Sequence, residues 1–334
     1  MDKMKTLIED FSAQLRDALT IGQKASVQPA AQEIRNIVIA GLGGSGIGGS
    51  VVASLLKDEL KVPVVVCKDY DIPAFVDGYT LFVASSFSGN TEETVSALEK
   101  ALKADAQCVS VTSGGTINKM VKDNNMDVIN IPGESKSPRA NIGYSVIQLL
   151  YMFHYKGLIS KNFESEVSRL ADLLDSEESA IRERAEKLAN GMKGYLPILY
   201  TDSRMYPIAI RIQQQINENG KHFCHVNEFP EMNHNELVGW EHPEQVLNDS
   251  KVYFLHTSYD NPRVKERFKI CREVFSQKAA SVHDIEAKGQ SILEQSFYLI
   301  HLTDWVSYFL AQANSVDPFP VTVIDHLKNE LTKV

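Results

Sequence analysis

The sequence has few cysteines and no excess of basic residues. Its 334 residues include only four cysteines, Cys67, Cys108, Cys224 and Cys271, which are scattered without a C-x-x-C spacing. This pattern suits reduced, mostly buried thiols better than a disulfide framework or a zinc knuckle. The net charge of −9 at pH 7 argues against a general surface for nucleic acid or for an anionic membrane, because neither polyanion gains by binding an acidic partner.

Long apolar runs are also missing. No stretch approaches the about 20 consecutive apolar residues that cross a membrane. The opening segment MDKMKTLIEDF carries acidic residues where a signal peptide needs an apolar segment. We therefore expect a cytoplasmic protein that has no membrane partner.

Short apolar runs alternate with helical patterns, which is typical of βα units and a parallel sheet. The strands predicted in the first half are NIVIAG (36–41), VPVVV (62–66), TLFVAS (80–85), QCVSVT (107–112) and DVINI (127–131). The segment EETVSALEKALKA (92–104) is a predicted helix, and Ser137 and Pro138 mark the start of another. Residues 160–190 have leucines at helical spacing and predict a helical linker.

The second half repeats the pattern of the first. PILYT (197–201), a turn and a helix echo NIVIAG and its helix, and VYFLHTSYDNPRVKERF echoes LFVASSFSGNTEETVSAL. The second copy has Tyr259 and Asp260 where the first has Ser88 and Gly89, so only the first is equipped to hold an anion. We predict an α/β fold of two doubly wound domains, each a parallel sheet flanked by helices. The predicted ranges are 1–155 and 193–334, with a helical linker at 156–192 and a C-terminal helix.

The segment GLGGSG (41–46) follows a strand and opens a helix. It matches the dinucleotide fingerprint G-x-G-x-x-G, with Asp69 a little over 20 residues further on, which indicates a nicotinamide-dependent dehydrogenase. Alternatively, Gly43, Gly44 and Ser45 let the backbone come close to another ligand at the same turn. The motif alone does not decide between these two hypotheses.

A second turn, SSFSGNTEET (85–94), gathers hydroxyl groups between a strand and a helix. The backbone N–H groups and the positive end of the helix dipole would face the carboxyl edge of the sheet, where Ser86, Ser88 and Thr91 add hydroxyl donors. A terminal phosphate has three oxygens that such a loop could satisfy. The alternative is ordinary helix capping by Asn90 or Thr91.

These turns resemble the sugar isomerase (SIS) domain, a module that binds phosphosugars. Together with NENGK (217–221), PEMNHNE (230–236) and DHLKNEL (325–331), the chain resembles the bifunctional phosphoglucose/phosphomannose isomerase family. The resemblance implies two SIS domains, a homodimer, and no metal or redox cofactor. It also implies interconversion of glucose 6-phosphate or mannose 6-phosphate with fructose 6-phosphate.

The resemblance implies roles for individual residues. The residues that it assigns to the substrate phosphate are Gly44, Ser45, Ser86, Ser88 and Thr91. Arg139 would stabilise an enediolate and Glu218 would move the proton, although Glu231 is an alternative base. His234 from the neighbouring subunit would help to open the sugar ring together with Lys328.

Several alternatives remain open at this point. Arg139 could pair with Glu134 in a salt bridge, since a cation in the first turn of a helix needs a compensating partner. The segment HFCHVNEFPEMNH (222–234) could hold zinc, but if KHFCHV is a strand, His222 and His225 point to opposite faces. A non-catalytic phosphosugar sensor is the remaining hypothesis, which would bind the sugar phosphate without turnover.

Overall fold

The described residues, 2–135, 137–331 and 333, alternate strands with helices in this computed structural model. The strands are, in chain order, β1 (Asn36–Ala40), β2 (Val64–Cys67), β3 (Thr80–Ser86), β4 (Gln107–Thr112), β5 (Asp127–Asn130), β6 (Leu196–Asp202), β7 (His225–Phe229), β8 (Ser250–His256) and β9 (Ser281–Glu286). The α-helices are α1 (Lys3–Glu9), α2 (Phe11–Lys24), α3 (Gly43–Leu55), α4 (Glu92–Lys103), α5 (Gly115–Asp123), α6 (Ile142–Tyr155), α7 (Phe163–Met192), α8 (Tyr206–Glu218), α9 (Glu244–Asn248), α10 (Pro262–Phe275), α11 (Ile292–Ala313) and α12 (Thr322–Leu331). Short 3₁₀ turns cover Pro138–Ala140, Ser203–Met205, Glu231–His234 and Glu236–Gly239.

The chain divides into two compact units. The amino-terminal unit comprises Asp10–Asp175 and Gly289–Glu294. The carboxyl-terminal unit comprises the described residues within Met1–Glu9, Ser176–Lys288 and Gln295–Val334. The segment predicted as a helical linker is helical, since α7 runs through most of it. The domain boundaries drawn from the sequence stay a prediction.

The amino-terminal unit is built on a parallel sheet in the order β2-β1-β3-β4-β5. Every residue of β3 is buried, as expected for a parallel sheet that is covered on both faces. Helices α4 and α5 bury Leu98 and Ile117 in its core, and each such side chain contributes about 1.5–3 kcal/mol. The strand order reverses between β1 and β3, and ligands bind in open α/β sheets at the carboxyl ends of the strands at such a switch point.

The carboxyl-terminal unit contains a second parallel sheet, in the order β7-β6-β8-β9. Its core is aromatic, with the ring of Tyr200 stacked on that of Phe275 and the ring of Phe229 edge-on to that of Phe268. The strand order reverses between β6 and β8, so this unit repeats the plan of the first. The predicted α/β class with two parallel sheets flanked by helices is confirmed.

Several predicted elements differ from those observed. β2 begins at Val64 rather than at residue 62, because Pro63 cannot donate a backbone hydrogen bond. α6 begins at Ile142 after a separate 3₁₀ turn, rather than at Pro138. KHFCHV is not one strand, since β7 starts only at His225 and Lys221 has a φ of +49°, outside the strand region.

The four cysteines are free thiols, and Cys67, Cys224 and Cys271 are buried. Burial raises the pKa of the Cys108 thiol to about 12, which keeps it protonated at neutral pH. Within the described residues, none of the helices combines the length and the apolar character that crossing a membrane requires.

Candidate active site

Two hydroxyl-bearing loops meet at the switch point of the amino-terminal sheet. The first loop joins β1 to α3 and the second joins β3 to α4, and these strands are neighbours. The residues predicted for the phosphate on these loops are Gly44, Ser45, Ser86, Ser88 and Thr91. The two loops are in direct contact, because the Ser45 Oγ accepts a hydrogen bond of 3.1 Å from the backbone N–H of Phe87.

The second loop is organised by its own hydroxyl groups. The Ser86 Oγ accepts a hydrogen bond of 3.1 Å from the Gly89 N–H and lies 2.9 Å from the Thr91 Oγ1. The Ser88 Oγ accepts a hydrogen bond of 3.2 Å from the Asn90 N–H. Ser86 is buried and Ser88 is exposed, so the loop has one hydroxyl inside the protein and another at the surface.

The N-termini of both helices at this crevice lack side-chain caps. The residue before α3 is Leu42 and the residue before α4 is Thr91, and neither side chain bonds to a backbone N–H of its helix. Thr91 thus holds the N-cap position of α4, as the capping alternative had it, but its side chain does not make the capping bond. The Asn90 Oδ1 instead accepts hydrogen bonds from the N–H and the hydroxyl of Thr116 at 2.9 and 3.0 Å. Two helices thus begin without a side-chain cap on loops that are in contact, and an uncapped helix N-terminus suits an anion.

A third loop, between β4 and α5, supports the second and was missed by sequence reasoning. The Ser113 Oγ donates a hydrogen bond of 2.6 Å to the Phe87 carbonyl oxygen. The Ile117 N–H donates one of 2.9 Å to the Gly89 carbonyl oxygen. Gly89 has a φ of +67°, and a Cβ built there would lie 1.7 Å from the Gly114 oxygen. The available sequence signal was the Gly114–Gly115 pair directly after a strand.

Arg139 lies beside the first loop, in the 3₁₀ turn Pro138–Ala140, and is 8% exposed. A Cβ at Gly44 would lie 2.8 Å from the Pro138 carbonyl oxygen, so glycine permits this close approach. Arg139 lies two residues after the N-cap Ser137, as expected, but the helix that begins there is this short 3₁₀ turn rather than α6. The choice between a ligand and Glu134 as its partner stays a prediction.

Glu218 is the last residue of α8 in the carboxyl-terminal unit and is half-buried. A cavity of about 400 Å³ lies beside it, lined by Asn217, Glu218, Lys221, His222, Phe223 and residues 321–324. The Lys221 ammonium donates to the carbonyl oxygens of Glu218 and Pro320. This lysine therefore ties the end of α8 to the chain that leads into α12.

Lys328 lies on α12, beyond the residues that line this cavity, and its side chain is exposed. The same helix exposes an apolar stripe formed by Val323, Ile324, Leu327 and Leu331. Within its unit the structure does not place the Lys328 side chain among the residues that line the cavity beside Glu218.

His234 ends the 3₁₀ turn Glu231–His234 and is exposed. The turn after it is held by Glu236, which sequence reasoning did not single out. The Glu236 carboxylate accepts hydrogen bonds from the hydroxyl of Tyr200, from the amide of Asn227 and, at 3.0 Å, from the His225 Nε2. Burial raises the pKa of Glu236, but hydrogen bonds from His225, Tyr200 and Asn227 outweigh it, and the net effect lowers the pKa. Glu236 is therefore an ionised anchor for the segment that carries His234.

Glu231, the alternative base, is exposed, and its Oε1 accepts a hydrogen bond of 2.8 Å from the Asn235 Nδ2. One oxygen of the Glu231 carboxylate is thus hydrogen-bonded to a residue of the turn that follows it. Glu218, by contrast, faces a cavity.

The crowded segment 222–234 does not gather its ligand-type side chains. His222 bonds through its Nε2 to the Tyr195 carbonyl oxygen at 2.7 Å and lies 3.2 Å from the Asn314 Nδ2 at its other nitrogen. Both ring nitrogens of His222 therefore lie against groups of the protein itself. Among the described residues, no three His, Cys, Asp or Glu side chains come together in a way that could hold a metal ion.

Known proteins resemble the chain along its whole length. A family model described as the bacterial phospho-glucose isomerase C-terminal SIS domain matches residues 181–331. The bifunctional phosphoglucose/phosphomannose isomerase of Caldicellulosiruptor bescii is 40% identical, covering 98% of this chain and 98% of its own. The enzyme of the same name from Aquifex aeolicus is 35% identical, covering 90% of this chain and 91% of its own.

Solved structures share the fold. The C-terminal domain of glucosamine-fructose-6-phosphate aminotransferase from Francisella tularensis matches with a TM-score of 0.73 at 13% identity, covering 95% of this chain and 97% of that one. The relatives favour an isomerase over the dehydrogenase that GLGGSG alone suggested. From the identity that extends over both units, we conclude that the chain belongs to the bifunctional phosphoglucose/phosphomannose isomerase family.

Proposed function

We propose that this enzyme interconverts glucose 6-phosphate and mannose 6-phosphate with fructose 6-phosphate. The observation that carries the proposal is the pair of joined loops at the β1/β3 switch point. There, two uncapped helix N-termini and the hydroxyls of Ser45, Ser86 and Thr91 converge. A phosphomonoester dianion offers three terminal oxygens to such donors, and a sugar phosphate is the substrate type that the names of the relatives state.

The phosphate would be held by the first two loops. The Ser45 oxygen accepts a backbone N–H bond, which leaves its O–H to donate to the phosphate. Ser86 and Thr91 are hydrogen-bonded to each other, so one O–H of that pair is left to donate, and Ser88 is exposed. The backbone of Gly44 lies in the first turn of α3, where N–H groups have no partner within the helix. No metal is needed to hold the anion in this arrangement, since charge-assisted hydrogen bonds supply the binding.

The chemistry requires one group that moves a proton. Glu218 would remove the C2 proton of the open-chain aldose and return it to C1. The proton of the C2 hydroxyl passes to the C1 oxygen, so that the carbonyl moves from C1 to C2. Arg139 would stabilise the negative oxygen of the enediolate intermediate. Glucose and mannose differ only at C2, which is planar in that intermediate, so one base with rotation about the C2–C3 bond serves both sugars.

Ring opening must precede this step. His234 and Lys328 would transfer protons at the ring oxygen and the anomeric hydroxyl, and both side chains are exposed. We propose that the protein acts as a homodimer in which His234 is contributed by the second copy. The exposed apolar stripe of α12 and the neighbouring Phe223, which is 77% exposed, support a partner surface in this unit. We also place the enzyme in the cytoplasm, which its four free thiols support.

A coupled assay tests the function. Chelator-treated protein is given fructose 6-phosphate, and glucose 6-phosphate and mannose 6-phosphate are detected separately. We expect both products. If neither forms although the sugar phosphate binds, the protein is a sensor and the proposal fails.

Glu218→Gln tests the base and Glu231→Gln is its matched control. We expect Glu218→Gln to lower kcat by about 10²–10⁴-fold, the usual contribution of a positioned proton-transfer group. Glu231→Gln should leave kcat within a few-fold of the wild type. Inactivation by the second change alone would transfer the role to Glu231.

A further inference from the structure

Helix α8 carries a row of buried polar side chains that the proposed chemistry does not use. The row consists of Arg211 and Gln215 in the helix and Asn219 directly after its last residue; they are spaced four residues apart and are 2%, 1% and 0% exposed. Residues at this spacing lie on one face of a helix. That face packs on α11.

Asp304 of α11 receives the first two members of the row. Its Oδ1 accepts hydrogen bonds of 3.0 Å from the Arg211 Nη1 and 3.0 Å from the Gln215 Nε2, and its Oδ2 accepts one of 3.2 Å from the Arg211 Nη2. The arginine contact is a two-pronged ion pair, which constrains direction as well as distance. The carboxylate is buried and paired.

Ser307, one turn further along α11, receives the third member. Its Oγ accepts a hydrogen bond of 3.0 Å from the Asn219 Nδ2 and donates one of 2.7 Å to the Asp304 carbonyl oxygen. Asn314, the residue directly after α11, donates to the Gly220 carbonyl oxygen at 3.0 Å. The hydrogen bonds therefore follow α8 to the residues that directly flank Glu218.

We propose that Asp304 and Ser307 are positioning residues that fix the rotation of the last turn of α8 and thereby aim the Glu218 carboxylate. The inference rests on the proposed function of Glu218. A plain apolar contact between two helices tolerates small rotations and slides, whereas directional bonds at three successive turns do not. Replacing a buried ion pair by apolar residues is often neutral or stabilising, so stability alone does not explain a polar row here.

The position of the Glu218 carboxylate matters because the base must reach both C1 and C2 of the substrate. A proton held by a carboxylate that is displaced from C1 has more time to exchange with solvent before it is delivered. Mispositioning should therefore lower kcat and raise the fraction of product that carries deuterium from D₂O. Binding of the phosphate should be unaffected, because it depends on other residues.

Ser307→Ala and Asn219→Ala, singly and together, test the inference. We expect each single change to lower kcat about tenfold with KM within twofold of the wild type, and to increase deuterium incorporation. The double variant should lose little more than either single variant, since both remove the same hydrogen bond. Thr303→Val is the matched control, because the Thr303 hydroxyl is buried in the same helix but bonds only to the carbonyl oxygens of Leu299 and Ile300.

The outcomes separate the two proposals. Unchanged kcat and deuterium content in folded Ser307→Ala, together with an inactive Glu218→Gln, would overturn this inference alone. A fully active Glu218→Gln would overturn the assignment of the base and with it this inference. Should Ser307→Ala not fold, Ser307→Cys keeps a weak acceptor of similar volume, and its kcat must still fall for the inference to stand.

Discussion

The turn after β3 and the turn after β8 occupy equivalent places in two repeated sheets, but different groups fill them. In the second repeat, Asp260 takes the place of Gly89, and its carboxylate accepts hydrogen bonds from the N–H and the hydroxyl of Thr257 at 3.1 and 2.6 Å. Asp202 ends β6, where Gly41 follows β1, and accepts from the N–H groups of Arg204 and Asn261 at 3.0 Å each. The second crevice is therefore filled by the anionic side chains of the protein itself.

The helix that follows each turn differs in the same way. Asn261 caps α10 by accepting a hydrogen bond of 2.9 Å from the Arg263 N–H, whereas Thr91 makes no such bond to α4. A fold that directs N–H groups at a crevice must supply an anion or leave the donors to water or a ligand. The second repeat supplies its own carboxylates, and this difference supports the proposal that the first repeat receives an anion from outside.

The largest expected effect comes from Gly89→Ala in the first repeat. Alanine disfavours the φ of +67° that the backbone has at this position. The added Cβ would also collide with the backbone of Gly114. We expect the loop to be displaced and the KM for fructose 6-phosphate to rise more than about 100-fold, which corresponds to about 2.7 kcal/mol.

Gly157→Ala is the control for that change, because Gly157 has a φ of +76° with open space around it. We expect Gly157→Ala to lower the free energy of unfolding by about 1 kcal/mol and to leave the KM unchanged. Equal kinetic effects of the two changes, or a normal KM in Gly89→Ala, would contradict the role of the turn.

An intermediate effect is expected when the equivalent hydroxyls are removed from the two turns. Ser86→Ala should raise the KM for fructose 6-phosphate about 10–100-fold, since a hydrogen bond to a charged group contributes about 1.5–3 kcal/mol. Thr257→Val in the second repeat should lower the melting temperature and leave KM unchanged. A rise in KM for Thr257→Val would mean that the second crevice also contacts substrate.

The smallest effect concerns the pH dependence of stability in the second repeat. Burial lowers the pKa of His256, but hydrogen bonds to Asp260 and Asp284 outweigh it and raise the pKa above 6.5. A raised pKa stabilises the fold fully below the unfolded value and loses that contribution as the pH rises through the folded value. We expect Asp260→Asn to lower the melting temperature by about 2–4 °C at pH 6 and by less at pH 9.

Thermal unfolding monitored across this pH range checks that expectation. The KM should stay unchanged, since we propose that the phosphate binds in the first crevice. A loss of equal size at pH 6 and pH 9 would show that the His256–Asp260 pair does not contribute.

The strands and the first two loops could be predicted because their signals are local. The apolar run that forms β4 was predicted with its observed bounds, and the hydroxyls of residues 86–91 follow a strand directly. The start of α6 was predicted wrongly, because a 3₁₀ turn and an α-helix begin with similar residues. Nothing local distinguishes the two.

The contacts of Glu236 and Asp304 could not be predicted at all. Each carboxylate is bonded to side chains from other elements: Glu236 reaches Tyr200 of β6, and Asp304 reaches Arg211 of α8. Spacing within one segment carries no information about such partners.

The sequence by itself determined the alternation of strands and helices, the repeat, and which turn carries hydroxyls, because these follow from patterns within about 20 residues. Only the tertiary structure decided that the Thr91 hydroxyl is not a helix cap, that Asp202 and Asp260 fill the second crevice, and that α11 holds the end of α8. The physical reason is that a hydrogen bond depends on distance and direction in space, and the chain brings its donors and acceptors together only when its sheets and helices have packed.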